Sequence, residues 1–462
     1  MGAGLRAARV TLRHSPREGP LTPHRRRPYG PSRTTGKFPN SSRGAPGSTE
    51  PSPARRPEEE DPHVTHVIKT TARAPLAGTP SLLRAINDRA ALELLLENGP
   101  LSRTQIGTLT GLSKPTASQL LARLEAAGLV LPVGTSAGGP GPNAQLYQVN
   151  PAAGHVAGLD VTTGEIRVAV ADITGTTLAE HVVPVKGTPA AETVSRVTAA
   201  VAGAVREAGI ADRALHTVVI GVGGAPDPVT GKLRYASHLP GWHSPRLVEE
   251  LSEAIGAPVS IENDVNLAAV AEQACGAARG SEDFVLLWAG AGTGAAIVIA
   301  GRLHRGFTGG AGEVGYMPVP GSPVVRDVRR RNSGGFQDLV GAPAVRALAR
   351  RYGLGAPTAE DAIARALETP GAGDAFLAEL AGRLAVGLAV IVAVVDPELV
   401  VLSGAVPSAG GTRLRALVED ELARLSMARP EVRSSALVGS PVLLGALQRA
   451  VATAREAVFS TH

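Results

Sequence analysis

The chain has 462 residues, 44% of them hydrophobic, which is enough for two or three domains with large buried cores. Its single cysteine, Cys275, excludes an intrachain disulfide and a cysteine-based metal cluster, and it suits a reducing cytoplasm. The net charge of +5 is unevenly placed, because residues 1–60 hold 12 Arg or Lys and 5 Asp or Glu, while the other 402 residues hold 34 and 36. The basic character therefore belongs to the N-terminal tail and not to the folded body.

Residues 1–79 are predicted to form a disordered basic tail. The segment is rich in Pro, Ser, Gly and Arg and has no apolar periodicity, so it cannot bury enough surface to become ordered. It lacks the apolar core of a secretory signal, whereas its Arg-rich, acid-poor start leaves a transit peptide open. A second interpretation is that translation starts at Val64 or Val67 and that the tail is not made.

Residues 80–150 are predicted to form a winged helix-turn-helix domain. A helix over 81–98 stops at Gly99, and a second helix begins with a capping box of Ser102 and Gln105. The third helix begins after Ser113 and is followed by two strand-like runs around a Gly/Pro-rich loop, which is typical of a wing. This order of elements favours a DNA-binding domain over a small helical adaptor with a hairpin.

The side chains expected to contact operator DNA lie near the starts of the second and third helices, where they can reach phosphates and base edges in the major groove. They are Arg103, Thr104, Lys114, Thr116, Ser118 and Gln119. Two features count against DNA binding. Residues 81–150 carry only five basic against four acidic side chains, and the wing has no arginine, so phosphate attraction and minor-groove reading are weak.

From residue 155 to 462, strand-like runs alternate with helical runs, which predicts an α/β region of about 300 residues. Its longest apolar run, Leu384 to Val395, is well short of the ~20 residues that a membrane span needs, so it predicts a buried helix and no membrane partner.

Three polar side chains stand together where a strand is predicted to end: Glu262, Asn263 and Asp264 in the segment SIENDVNLAAVAEQ. An aspartate there could take a proton from a sugar hydroxyl during phosphoryl transfer, or it could hold a ligand without chemistry. It could also serve only as the cap of the helix that follows.

The chain resembles the regulators of the ROK family (repressors, open reading frames and kinases) over residues 80–455. The resemblance rests on the stretches LSKPTASQLLARLEAAGLV, HLPGW, IENDVNLAAVAEQACGAARG, GRLHRGFTGGAGEVGY and VVDPELVVLSGAV. It implies an α/β fold class in which an N-terminal winged helix-turn-helix is followed by a two-lobed actin-like ATPase (sugar kinase) fold over residues 155–462.

The resemblance also implies a sugar pocket, whose contacts would be Asn263, Asp264, Glu313, Tyr316 and Asp338. Carboxylates suit this task because each accepts two directed hydrogen bonds. Tyr316 stands where the family has a histidine, and Asp338 stands for a family glutamate that is one methylene longer. His238 replaces the usual asparagine.

The phosphate-binding motifs of the family kinases are altered in this chain. Where the kinases have Asp-x-Gly-Gly-Thr-Lys, residues 160–165 read DVTTGE, so both glycines are lost and Glu165 stands at the lysine position. The second hairpin has Ala291 in place of a threonine, and the stretch RRRNSGGFQDLVG lacks the cysteines of the family's structural zinc site. We therefore expect no ATP, no zinc, no other cofactor and no catalytic residue.

These observations predict a cytoplasmic, sugar-responsive transcriptional regulator, a repressor of carbohydrate metabolism genes that binds operator DNA as a homodimer or higher homo-oligomer. One alternative is an ATP-dependent sugar kinase with a fused DNA-binding domain. Another is a regulator that no longer binds a sugar and senses a partner protein.

Overall fold

A computed structural model describes residues 80–460, apart from 137–143, 186–191, 212–213, 228–229, 232, 235–238, 240 and 328–333. The predicted disordered tail over residues 1–79, the tip of the predicted wing and His238 lie outside the described residues.

The N-terminal region contains three helices and a small three-stranded sheet in the order β1-β3-β2. The elements are α1 (Pro80–Asn98), β1 (Leu101–Ser102), α2 (Arg103–Thr110), α3 (Lys114–Ala126), β2 (Val130–Thr135) and β3 (Gln145–Val149). Strands β2 and β3 are antiparallel, as a wing requires. The predicted capping box is present, because the Ser102 hydroxyl accepts from the Gln105 amide while the Gln105 side chain accepts from the Ser102 amide.

A buried ion pair fastens α1 to α3. Asp88 is 2% exposed and accepts hydrogen bonds from two nitrogens of Arg123, which lies 35 residues further on. Around this pair, the apolar face predicted for α3 is buried against α1 and the wing. By contrast, Leu82, Leu83 and Ile86 at the start of α1 are about half exposed.

The first lobe of the α/β region contains a five-stranded sheet in the order β10-β7-β4-β5-β6. Its elements are β4 (His155–Val161), β5 (Glu165–Asp172), β6 (Thr177–Pro184), α4 (Thr193–Glu207), β7 (Leu215–Val222), β8 (Ala225–Pro226), β9 (Leu233–Arg234), α5 (Leu247–Ile255), β10 (Val259–Asn263) and α6 (Asp264–Cys275). Strands β4, β7 and β10 run parallel, so their carboxyl ends meet at one edge of the sheet.

The second lobe repeats this strand order as β13-β12-β11-β14-β15. Its elements are β11 (Phe284–Ala289), β12 (Thr293–Ile299), β13 (Arg302–His304), α7 (Gln337–Val340), α8 (Ala342–Arg351), α9 (Ala359–Glu368), α10 (Ala372–Val395), β14 (Leu399–Ser403), α11 (Ala405–Leu425), β15 (Glu431–Ser434) and α12 (Pro441–Ser460). The last helix, α12, does not stay with this lobe but packs on β4, β7 and α6 of the first.

Helix α10 contains the longest apolar run and is followed by Asp396 in the left-handed conformation. Among the described residues it is the one helix long and apolar enough to cross a membrane. Phe376, Leu380, Leu384 and Leu388 are fully buried against the rest of the second lobe, as in the core helix of a globular domain. The predicted helix is therefore present, but its burial is one-sided, because Val390 and Val394 near its end are exposed, Val394 at 81%.

Candidate functional site

A cavity of about 330 Å³ lies between the two lobes, at the carboxyl ends of their parallel strands. The first lobe contributes the ends of β4 and β10 and the start of α6, and the second contributes the turn between β11 and β12 together with the loop over 309–316. Open α/β sheets bind ligands at this edge, where loops and helix N-termini converge.

Three consecutive residues at the end of β10 have three different environments. Asn263 is the N-cap of α6, because its side-chain oxygen accepts from the Asn266 amide at 3.0 Å, while its nitrogen donates to the Gly224 carbonyl at 3.0 Å. Asp264 lies one residue inside the helix and accepts from the Val265 amide at 2.8 Å. The idea that Asp264 caps α6 is therefore wrong, since Asn263 has that role and leaves Asp264 facing the cavity.

Glu262 is buried and points away from the cavity lining. Its Oε2 accepts from Nε and Nη2 of Arg305, at 2.8 and 2.6 Å, and its Oε1 accepts from the Asn266 side chain at 3.1 Å. Arg305 follows β13 and begins the loop that carries Glu313, so this ion pair ties that loop to the first lobe. The result is a fixed distance between the strand end at Asp264 and the loop at Glu313.

Asp264 and Glu313 are two half-buried carboxyl groups that line the cavity, one after β10 and the other in the loop over 309–316. Burial, with a smaller contribution from the neighbouring Asp160 carboxylate, raises the pKa of Asp264 to about 7. Burial and the charge of Asp264 raise the pKa of Glu313 to about 7. Near neutral pH the pair can therefore both accept and donate hydrogen bonds, which matches the hydroxyl groups of a sugar.

Asp160 is a third carboxyl group in the cavity lining, and its Oδ2 accepts a hydrogen bond at 2.7 Å from the hydroxyl of Ser440. Burial raises the pKa of Asp160, and the Ser440 hydrogen bond partly opposes that effect. None of the described side chains that line the cavity is a lysine, arginine or histidine. The lining therefore favours neutral or cationic ligands over anionic ones.

The turn between β4 and β5 is closed by its own side chain. The Thr162 hydroxyl accepts from the amides of Gly164 and Glu165, both at 3.2 Å, and donates to the Glu165 carbonyl at 3.1 Å. These amides are the groups that a phosphate would need in a glycine turn. Glu165 is paired with Arg167 at 2.6 Å, which offsets its negative charge. The amides occupied by Thr162 therefore oppose phosphate binding more than the charge of Glu165 does.

The turn between β11 and β12 keeps its glycines, and Gly290, Ala291, Gly292 and the first residue of β12, Thr293, all line the cavity. Thr293 is 8% exposed, and its hydroxyl has no hydrogen-bond partner among the described residues. A ligand or water that reaches this corner could satisfy that hydroxyl. Sequence reasoning missed Thr293 because nothing in the glycine-rich pattern distinguishes a buried hydroxyl from an exposed one.

The structure places four of the five predicted sugar contacts in the cavity lining: Asn263, Asp264, Glu313 and Tyr316. Asp338 does not line the cavity, and Gln337 lies there in its place. Phe336 is fully buried before the short helix α7, and successive helical residues turn by about 100°, so Gln337 faces the ligand space and Asp338 turns away. The cavity lining therefore includes the residue before the predicted one.

The family zinc site does not fit this chain. The phenol of Tyr316 replaces the histidine ligand, and the stretch from 329 to 341 contains no cysteine. Across the described residues, no group of three or more His, Cys, Asp or Glu side chains is arranged to hold a metal ion.

In the N-terminal region, Arg103, Thr104, Lys114, Thr116 and Gln119 are exposed at the starts of α2 and α3. Ser118 differs, because it is half-buried and its hydroxyl donates to the Lys114 carbonyl at 2.8 Å while accepting from Arg103 at 3.2 Å. The Ser118 hydroxyl therefore holds Arg103 against α3. Of the two neighbouring side chains Ser118 and Gln119, Gln119 is the one accessible to base edges.

These features define the class of protein as a winged helix-turn-helix joined to a two-lobed actin-like region of the sugar-kinase type, and the predicted fold class is confirmed. The ROK family model matches residues 156–451, and the MarR family model matches residues 87–135. The chain belongs to the ROK family.

Individual relatives include both regulators and kinases. The xylose repressor of Caldicellulosiruptor bescii is 29% identical over 243 residues, which cover 52% of this chain and 61% of the repressor, less than two thirds of its length. The crystal structure of a ROK family transcriptional regulator, a homologue of Escherichia coli Mlc, covers 82% of this chain and 99% of its own, with a TM-score of 0.64 at 18% identity. The ROK hexokinase of Thermus thermophilus covers 65% and 99%, with a TM-score of 0.55 at 27% identity.

Proposed function

We propose that this protein is a sugar-responsive DNA-binding transcriptional repressor of carbohydrate metabolism genes. The observation that carries the proposal is the cavity, in which Asp264 and Glu313 face the ligand space while the neighbouring turn at Thr162 is filled by its own hydroxyl. One chain thus combines a cavity whose side chains can hydrogen-bond to hydroxyl groups with a winged helix-turn-helix. The similarity to a protein named xylose repressor supports the same function.

The sugar contacts in this proposal are Asn263, Asp264, Glu313, Tyr316 and Gln337, with Gln337 replacing the predicted Asp338, and Asp160, the third carboxyl group of the same lining. Three carboxyl groups line the space without a described cation, so the proposed effector is an uncharged sugar and not a sugar phosphate.

Residues 80–150 are proposed to bind operator DNA, with Arg103, Thr104, Lys114 and Thr116 at phosphates and Gln119 at a base edge. Residues 155–462 are the proposed effector region. Since helix-turn-helix proteins read paired half-sites, the proposed active form is a cytoplasmic homodimer.

A sugar kinase is the second candidate function, and one observation favours it. Burial raises the pKa of Asp264 to about 7, which suits a group that takes a proton from a sugar hydroxyl. The filled turn at Thr162 and the replacement at Ala291 oppose it, because a base without a held phosphoryl donor performs no transfer. We therefore propose that the protein is not an enzyme.

The test combines binding and turnover on the full chain. The unfolding temperature is measured with D-xylose, D-glucose, N-acetyl-D-glucosamine and their phosphates, because a ligand selective for the native state raises it. The stabilising sugar is then incubated with ATP and magnesium. Stabilisation by an uncharged sugar without sugar-dependent ADP release supports the proposal. ADP release that disappears in Asp264→Asn would establish the kinase instead.

A further inference from the structure

Helix α12 begins at the cavity. Ser440, the residue before its first turn, donates to Oδ2 of Asp160 at 2.7 Å and also accepts from the Leu443 amide at 3.1 Å. Asp160 lies in strand β4, 280 residues earlier in the sequence, and lines the cavity. A ligand that donates a hydrogen bond to Oδ2 of Asp160 therefore competes with Ser440, the residue before α12.

The body of α12 packs tightly on the first lobe, and glycines permit this close approach. A side chain at Gly158 of β4 would lie 2.7 Å from the Leu447 amide, and one at Gly221 of β7 would lie 2.5 Å from Val442. On the helix itself, a side chain at Gly445 would collide with the Leu267 carbonyl of α6. Packing of this density transmits a displacement as a rigid unit and does not absorb it.

The far end of α12 belongs to the same apolar cluster as the winged helix-turn-helix. Phe459 is 5% exposed and shares this cluster with Leu92 and Leu95 of α1 and Leu124 of α3. With 20 residues, α12 extends about 30 Å. It therefore spans from the cavity to the predicted DNA-binding region.

The junction at this far end is not fully packed. A second cavity of about 320 Å³ lies between the turn after α3, at Gly128 and Leu129, and the end of α12, at Ala457 and Val458. The turn after α3 joins the predicted recognition helix to the wing. Contact between α12 and the winged helix-turn-helix at this end therefore rests on the apolar cluster around Phe459, beside this space.

We propose that Ser440 is a positioning residue that transmits cavity occupancy to the winged helix-turn-helix through Asp160 and α12, an inference that rests on the proposed function. Two states follow. In the first, Ser440 donates to Asp160 and the protein has the operator affinity of its sugar-free form. In the second, Asp160 hydrogen-bonds to the sugar and the operator affinity is that of the sugar-bound form. A ligand shifts this equilibrium because it makes contacts in the second state that it lacks in the first.

The decisive variant is Ser440→Ala in the full chain. Its operator affinity without sugar should equal that of the wild type with sugar, a change of roughly fivefold or more, and added sugar should change it no further. Ser440→Gly should have the same operator affinity as Ser440→Ala, because glycine caps a helix nearly as well as serine and the effect then comes from the lost hydroxyl. Ser440→Thr, which keeps a hydroxyl, should restore the response of operator binding to sugar. Thr358→Ala removes the cap of α9 in the second lobe and should leave operator binding unchanged.

Operator DNA is selected from a randomised duplex library with the wild-type protein, and binding is titrated with D-xylose, D-glucose and N-acetyl-D-glucosamine. A Ser440→Ala protein that responds to sugar like the wild type overturns the inference and leaves the proposed function intact. If no sugar shifts wild-type binding, the proposed function fails. In that case a Ser440→Ala operator affinity that differs from both wild type and Thr358→Ala still supports transmission along α12, and an unchanged affinity overturns it.

Discussion

The two sides of the cavity differ in how their polar groups are used. On the side of β10 and the loop over 309–316, Glu262 forms an ion pair with Arg305 and Asn263 caps α6. Asp264 and Glu313 are left facing the ligand space. On the side of the first turn, Thr162 uses its own hydroxyl to satisfy the amides that a phosphate would need. Under the proposed function, the first of these is the sugar side of the cavity, and the second, the phosphate side, is closed to a phosphoryl donor.

Under the proposed function, a fold shared with kinases serves as a sensor. On the sugar side, the ion pair of Glu262 and the helix cap at Asn263 hold fixed the distances between the groups that face the ligand space. The phosphate side would need unoccupied backbone amides to bind a phosphate, and the hydroxyl of Thr162 occupies them.

The largest expected effect is on the scaffold of the sugar side. Glu262→Ala leaves Arg305 without its buried partner and should lower the free energy of unfolding by about 3 kcal/mol. At an unfolding entropy of roughly 2 cal/mol/K per residue, a chain of 462 residues should show a fall in Tm of roughly 3–4 °C. The measurement is calorimetric unfolding. Glu431→Ala, which removes the exposed partner of Arg433, is the control and should leave Tm unchanged. Equal falls in both variants would mean that the pair at Glu262 has no special role.

The next effect is on the affinity of the protein for the sugar. Asp264→Ala removes a half-buried carboxyl group that faces the sugar and should weaken sugar binding roughly 10- to 100-fold, since hydrogen bonds to charged groups are the stronger ones. Titration calorimetry with the sugar that stabilises the wild type measures it. Asp338→Ala is the matched control, because that carboxyl group lies outside the cavity lining and its loss should not alter affinity. The reverse order of effects would place Asp338, and not Gln337, in the pocket.

A third prediction concerns the phosphate side. Combining Thr162→Gly, Thr163→Gly and Glu165→Lys frees the turn amides and adds a cation, so ATP affinity should rise roughly tenfold over the wild type. Thr163→Gly alone should give no gain, because Thr162 still fills the turn. Nucleotide binding is followed by filter-binding of labelled ATP. Tight ATP binding by the unmodified protein would show that the turn opens and that the two sides do not differ.

The smallest effect is on pH-dependent stability. Burial raises the pKa of Asp264 to about 7, while the unfolded chain loses that proton near pH 4. Between these values the folded state binds more protons, so this group lowers stability as pH rises from about 4 to 7, and the loss is complete above 7. Because Asp264 is only half-buried, Asp264→Asn should raise Tm at pH 8 by less than Glu262→Ala lowers it, roughly 1–2 °C, and leave it unchanged at pH 4. Melting curves at both values test this, and equal Tm changes at pH 4 and pH 8 would contradict the assigned burial.

Local sequence signals predicted the fold well. The capping box at Ser102, the cap at Ser113 and the run of apolar strands are set by neighbours within a few residues, and each is present in the structure. The change from an apolar strand to a helical run likewise predicted the strand end next to Asp264. Such patterns are readable because their physical causes lie close together in the chain.

The contacts that define the site were not readable in the same way. Glu262 meets Arg305 across 43 residues and Asp160 meets Ser440 across 280, and no pattern in one sequence specifies such pairs. The register of Gln337 depends on Phe336 filling a core position, which becomes visible only when the second lobe is packed. The role of Thr162 depends on the conformation of a turn that its composition allows but does not require.

The most direct test of the account is the operator affinity of the wild-type protein, measured by fluorescence anisotropy with and without the sugar that stabilises it, in the presence of ATP and magnesium. The account predicts an affinity change of roughly fivefold or more that persists over time, with the sugar recovered unphosphorylated. An operator affinity that is the same with and without sugar, or a response that fades as sugar phosphate accumulates, would contradict it.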